Sequence, residues 1–166
     1  MFGRKKEKPR QTPFQLQVLT ADYLIEGTAE ADPQLYIPTS EDDWSPILLT
    51  DARITSVRED KIPVRRADTF EVQGGAVVAV IPLKDASTME QYDVYIEYEE
   101  EMKGTFYLGP YIIEGTLLNV GDDFTAPALL IEEAEVRLAN PNVKFAPIKA
   151  KDILVNTFWL HGREVK

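Results

Sequence analysis

The chain has 166 residues, no cysteine, and 28 acidic against 18 basic side chains, a formal net charge of -10. That length suits one compact domain or two very small ones, and by burying roughly 70% of its unfolded surface such a chain holds a core without disulfide or metal. The missing cysteines exclude a disulfide scaffold, a thiolate zinc site and a cysteine nucleophile.

Charge is unevenly placed. The first ten residues carry five basic side chains and one acidic, a net +4, so residues 11–166 sum to -14. An acidic body repels phosphate backbones at long range, although a local basic patch still acts within a Debye length. Residues 1–13 read as a disordered basic tail. They resemble a signal peptide's first region but lack the apolar segment behind it, and Phe2 alone offers a membrane surface apolar contact. No run approaches the roughly 18 apolar residues of a membrane span, so the expectation is a cytoplasmic protein.

In chain order, Phe14-Gln15-Leu16-Gln17-Val18 alternates apolar and polar, the period of a half-buried strand. Ala21-Asp22 turns into a second strand over Tyr23 to Ala29, whose internal Gly27 signals a bulge or sharp bend. A loop from Glu30 to Pro46, with Pro33, Pro38 and the acidic run Glu41-Asp42-Asp43, is too proline-rich for a central strand. Ile47 to Val57 resumes β character. A turn at Arg58-Glu59-Asp60-Lys61, the short Ile62-Pro63-Val64 and a strand at Thr69 to Val72 follow. Gln73-Gly74-Gly75 reads as a tight hairpin turn into an apolar strand from Ala76 to Leu83. Asp85 to Gln91 fits one helical turn with Ser87 and Glu90 spaced as a capping box. Residues 92–98 then alternate again, ahead of Glu99-Glu100-Glu101.

The chain repeats itself. Tyr23-Leu24-Ile25-Glu26-Gly27-Thr28 returns as Tyr111-Ile112-Ile113-Glu114-Gly115-Thr116, and Ile47 to Ile54 returns as Leu129 to Val136. The shift is 88 residues from Tyr23 to Tyr111, 82 from Ala52 to Ala134 and 83 from Val72 to Val155. The drop between the first two marks a shorter loop, Asn119 to Ala128, and length changes belong in loops. The implied organisation is a tail at 1–13, a first β unit at 14–84, a connecting segment with an extra strand at 85–101, and a second β unit at 102–166.

Each unit therefore runs strand, turn, glycine strand, loop, long strand, short strand, tight turn, strand. With Glu26-Gly27-Thr28 before Leu48-Leu49-Thr50-Asp51-Ala52-Arg53, and Glu114-Gly115-Thr116-Leu117 before Leu130-Ile131-Glu132-Glu133-Ala134-Glu135, this order resembles the Sm-like family of small five-stranded barrels. Phe70-Glu71-Val72-Gln73-Gly74-Gly75-Ala76-Val77 looks like that family's closing hairpin. The resemblance implies an all-β protein, two tandem five-stranded antiparallel barrels of Sm-like or SH3-like type. It further implies ring-like self-association through strand edges and, in many members, single-stranded RNA held at two loops. Where the family places Asn-type and basic side chains, this chain carries Glu41-Asp42-Asp43 and Asp122-Asp123 in one loop. In the other it carries Gln73-Gly74-Gly75 or Asn156-Thr157-Phe158.

Few residues are suited to chemistry. His161, the only histidine, follows the last expected strand; with no cysteine and no glycine-flanked serine near it, a catalytic role has little to build on. The acidic pairs lack the spacing of a calcium loop, and Gly74-Gly75 leads into a strand rather than a helix N-terminus, so no phosphate loop is expected. The one basic cluster outside the tail is Arg53, Arg58, Lys61, Arg65 and Arg66, a candidate anion or partner surface. Trp44 and Trp159 are candidate interface aromatics. The reading is a non-catalytic interaction or scaffold module without cofactor or metal, acting through self-association or contacts with another protein. The alternative is single-stranded RNA binding of the Sm-like type.

Overall fold

The alternating and β-branched segments form ten strands in a computed structural model that describes residues 14–29, 44–58, 63–83, 100–119 and 128–166. They are β1 (Phe14–Leu19), β2 (Tyr23–Ala29), β3 (Ile47–Ser56), β4 (Arg65–Val72), β5 (Ala79–Pro82), β6 (Glu100–Leu108), β7 (Tyr111–Asn119), β8 (Ala128–Leu138), β9 (Ile148–Asn156) and β10 (Leu160–Val165). Among the described residues the only helical pieces are single 3-10 turns at Gly74–Ala76 and Thr157–Trp159. The tail, the acidic runs at 41–43 and 122–123, Lys61, and the expected helical turn and strand within 85–98 lie outside the described residues.

All ten strands belong to one antiparallel sheet, in the order β10-β6-β7-β8-β9-β5-β1-β2-β3-β4. The protein is all-β, as the alternating segments and the family resemblance led one to expect. Where the sequence led to two barrels, the hydrogen bonding makes a single open ladder. The reason is that β9 pairs with β5 across the middle, and no ladder among the described residues joins β4 to β10. Each half runs through the same succession, β5-β1-β2-β3-β4 and β10-β6-β7-β8-β9.

The glycine strands carry a feature that the sequence placed one strand away. Between Glu26↔Arg53 and Thr28↔Thr50 the β2–β3 ladder slips by one residue, and β7–β8 slips identically between Glu114↔Glu135 and Thr116↔Glu132. The extra residue is therefore on β3 and β8. It is marked by left-handed backbone at Asp51 (φ 50) and Glu133 (φ 47), two acidic residues at matching places. Gly27 and Gly115 lie opposite these bulges, where a neighbouring strand crowds the position that a Cβ would take.

The expected hairpin at Gln73-Gly74-Gly75 is corrected. β4 and β5 do not pair; the chain makes a 3-10 turn, and β5 enters between β1 and β9. Gly74 is buried against the main chain of Trp44, so close that any Cβ would collide with the Trp44 carbonyl. This glycine is required by close approach rather than by positive φ. Similarly, β4 begins at Arg65, with Pro63 and Val64 outside it, and His161 sits within β10 rather than after the last strand.

Burial explains why the two halves hold together. Val78, Ala79, Val80 and Ile81 are all buried, as are Asp152 to Asn156, so the central strands are covered on both faces. One cluster, built on Leu16, Val18, Ile25, Ile47 and Leu49, takes in Leu118, Leu130 and Leu154 from the other half. The second, built on Leu108, Ile113, Ile131 and Ile153, takes in Leu19, Val57, Val78 and Ile81. Burying each such side chain is worth about 1.5–3 kcal/mol, so each half is stabilised by apolar surface that the other supplies.

Candidate functional site

The sheet offers three places where groups converge: the junction at its centre, the two outer edges, and a cleft beside β4. The junction is the most completely bonded. Ala79 pairs with Val155 and Val80 with Leu154. The ladder then continues through side chains. Asn156 donates its backbone N–H to the Val78 carbonyl (2.9 Å) and its side-chain amide to the Val77 carbonyl (2.8 Å). Its Oδ1 accepts from the Phe158 backbone N–H (3.1 Å), which holds the 3-10 turn. Trp159 donates its indole N–H to the Gly75 carbonyl at 3.2 Å. Further along, the buried Tyr111 hydroxyl on β7 donates to the Thr20 carbonyl at 2.7 Å. Burial, with Asp22 adding to it, drives that phenol far above its usual range, so it stays a donor at any ordinary pH.

At the outer edges lie β4 and β10. β4 exposes Arg65, Arg66, Asp68, Thr69 and Glu71, and β10 exposes His161, Arg163 and Glu164. On β10, the Arg163 guanidinium lies 3.7 Å from the Met102 sulfur of β6. Mixed charge is what keeps a free strand edge from indiscriminate pairing.

The cleft, about 480 Å³, is lined by Tyr23, Ile54, Ser56, Pro63, Arg65, Arg66, Ala67 and Phe70. Of the five basic candidates, Arg65 and Arg66 come together at this cleft. Arg53 stands opposite Arg66 in the β3–β4 ladder but is drawn to Glu26 (3.6 Å), and Arg58 to Asp22 (3.7 Å). Chemically, two guanidiniums over an apolar floor can hold a carboxylate or phosphate while a neighbouring ring packs below.

Trp44, a sequence candidate for an interface, is 4% exposed and belongs to the core; it covers Gly74 rather than a partner. Trp159 is half-buried at the junction, and the ring left outside is Phe158, 82% exposed and edge-on to Trp159. From the sequence Asn156 reads only as part of a turn and Phe158 as a packing side chain, whereas Asn156 bonds across the junction and the Phe158 ring is exposed. The available signal was the amide side chain at both Gln73 and Asn156, matching positions ahead of matching 3-10 turns. His161 is exposed, outside the cleft lining, and among the described residues no group of three His, Asp or Glu side chains is placed to hold a metal. Among the described residues, no helix is long and apolar enough to cross a membrane. Set against protein-family models, curated proteins and solved structures, the chain has no significant match.

Proposed function

We propose that this protein is a non-catalytic interaction module, two related Sm-like β units in tandem that act by joining strand edges to further protein. One observation carries the reading: the two halves, each ordered fifth strand, first, second, third, fourth, are themselves joined edge to edge through β9 and β5. The same kinds of strand, β4 and β10, then stand at the outer ends of the sheet. Support for the kinship of the units comes from their shared bulge, their left-handed acidic residues and their 3-10 turns at matching positions. An edge strand with unused backbone donors and acceptors is a template for another strand. Sedimentation and light scattering over a concentration series test the proposal. Association with copies or with a co-purifying protein is expected; a strict monomer without either overturns it.

A further inference from the structure

We infer that the cleft beside β4 is a docking site for an acidic peptide, which lays an aromatic side chain on Tyr23 and sets the flanking carboxylates on Arg65 and Arg66. It works through side chains rather than through edge backbone, and it opens where β3 runs into β4. The two loops that the resemblance assigns to RNA leave the far ends of β2 and β4.

The molecule carries its own picture of the occupied state, because the ladders match each wall of the cleft with a residue of the second unit. Tyr23↔Ser56 matches Tyr111↔Leu138, and Ile25↔Ile54 matches Ile113↔Val136. Ile54↔Arg65, Ala52↔Ala67 and Leu49↔Phe70 match Val136↔Ile148, Ala134↔Ala150 and Ile131↔Ile153. In the second unit Tyr111, Val136, Ala150 and Ile153 are all buried; in the first, Tyr23, Ile54, Ala67 and Phe70 are only partly so. The difference has a visible source. Phe145, on the irregular segment that leads into β9, packs on Tyr111 with ring centroids 6.2 Å apart, and Leu138 and Ile148 join the same cluster. Beside Tyr23 the corresponding space is the cleft, about 480 Å³, within the roughly 300–1,000 Å³ of ligand pockets.

Where the first unit departs from the second, it specifies the guest. Ser56 stands where Leu138 fills space, and Arg65 stands where Ile148 packs. A bare hydrocarbon would leave the Arg65 guanidinium without a counter-charge, whereas a carboxylate beside the ring pairs with it through two N–H donors. Arg65 and Arg66 form no salt bridge among the described residues, unlike Arg53 and Arg58. The guest is a peptide because the filled copy is one, a ring delivered from irregular main chain. The acidic body does not forbid it: repulsion is screened beyond about 10 Å at 0.1 M salt, and guanidinium–carboxylate pairing acts at contact.

The probe is a short fluorescein-labelled peptide with one phenylalanine between paired aspartates, titrated with the full chain and read by fluorescence anisotropy. Saturable binding is expected, weakened about tenfold when alanine replaces the phenylalanine or asparagines replace the aspartates. These peptide variants leave the protein untouched. Arg65→Ile, which installs the second unit's residue, and Arg66→Ala are each expected to weaken binding about tenfold with the urea midpoint unchanged. Tyr23→Ala, on β2 and two strands in from the edge, is expected to do the same. If it changes nothing, the peptide lies along the β4 edge instead and the inference fails. Should that variant not fold, Ser56→Leu, which fills the cleft as the second unit does, replaces it and is expected to block binding. No saturable binding, equal affinity for the asparagine peptide, or tighter binding of a labelled oligouridylate through the same arginines overturns the inference.

Discussion

The bulges opposite Gly115 and Gly27 can be probed with one methyl group each. A Cβ at Gly115 would stand 2.6 Å from Ile131 Cγ2, 2.9 Å from the Glu132 carbonyl oxygen and 3.2 Å from Ala134 Cα. At Gly27 the same atom meets Leu49 Cβ at 2.9 Å, the Thr50 carbonyl oxygen at 3.1 Å and Ala52 Cα at 3.5 Å. Two of the three neighbours at each site are main chain and cannot rotate away. Ile131 is fully buried and, being β-branched, has little freedom about χ1. Neither glycine has positive φ, so alanine gains about 0.4–1 kcal/mol by restricting the unfolded chain. Overpacking costs about 1–3 kcal/mol. The net is a loss of about 2 kcal/mol for Gly115→Ala and under about 1 kcal/mol for Gly27→Ala. For a chain of this size the first corresponds to a fall in Tm of about 4–8 °C. Urea unfolding is the assay, with the midpoint shifting at unchanged slope. Equal stability of Gly115→Ala and wild type, or a larger loss at Gly27, would refute the argument that β8 crowds β7 at this point.

Gly74→Ala is expected to be the most damaging glycine substitution, costing over about 3 kcal/mol, because its methyl displaces the Trp44 main chain; soluble yield and urea midpoint report it. Tyr111→Phe removes the hydroxyl that donates to Thr20 across the two halves and is expected to cost about 1–2 kcal/mol, read from the same unfolding curves. Burial raises the Asp152 carboxyl above its ordinary value, with Glu133 adding to the rise and Lys151 opposing it. The folded protein therefore binds that proton more tightly than the unfolded chain does. Asp152 contributes a stability that falls as pH rises from its unfolded value, 3.8, through its folded one, and stays lost above it. Asp152→Asn is expected to flatten that component and to raise stability at neutral pH; an identical pH profile for the two proteins refutes it.

What the sequence disclosed was set by locality. Strand positions followed from alternation at Phe14 to Val18 and from the returning Tyr23 and Tyr111 segments, because side-chain period is a property of neighbouring residues. The bulge was legible only as a glycine. Its partner residues, Asp51 and Glu133, take left-handed backbone that no rule of composition assigns to glutamate. The role of Gly74 depended on Trp44, thirty residues away in sequence and separated by two strands. The basic cluster was read as five equivalent cations, yet ladder positions draw Arg53 to Glu26 and Arg58 to Asp22, leaving Arg65 and Arg66 to line the cleft. Pairing between distant strands decided each of these, and a linear pattern does not encode it.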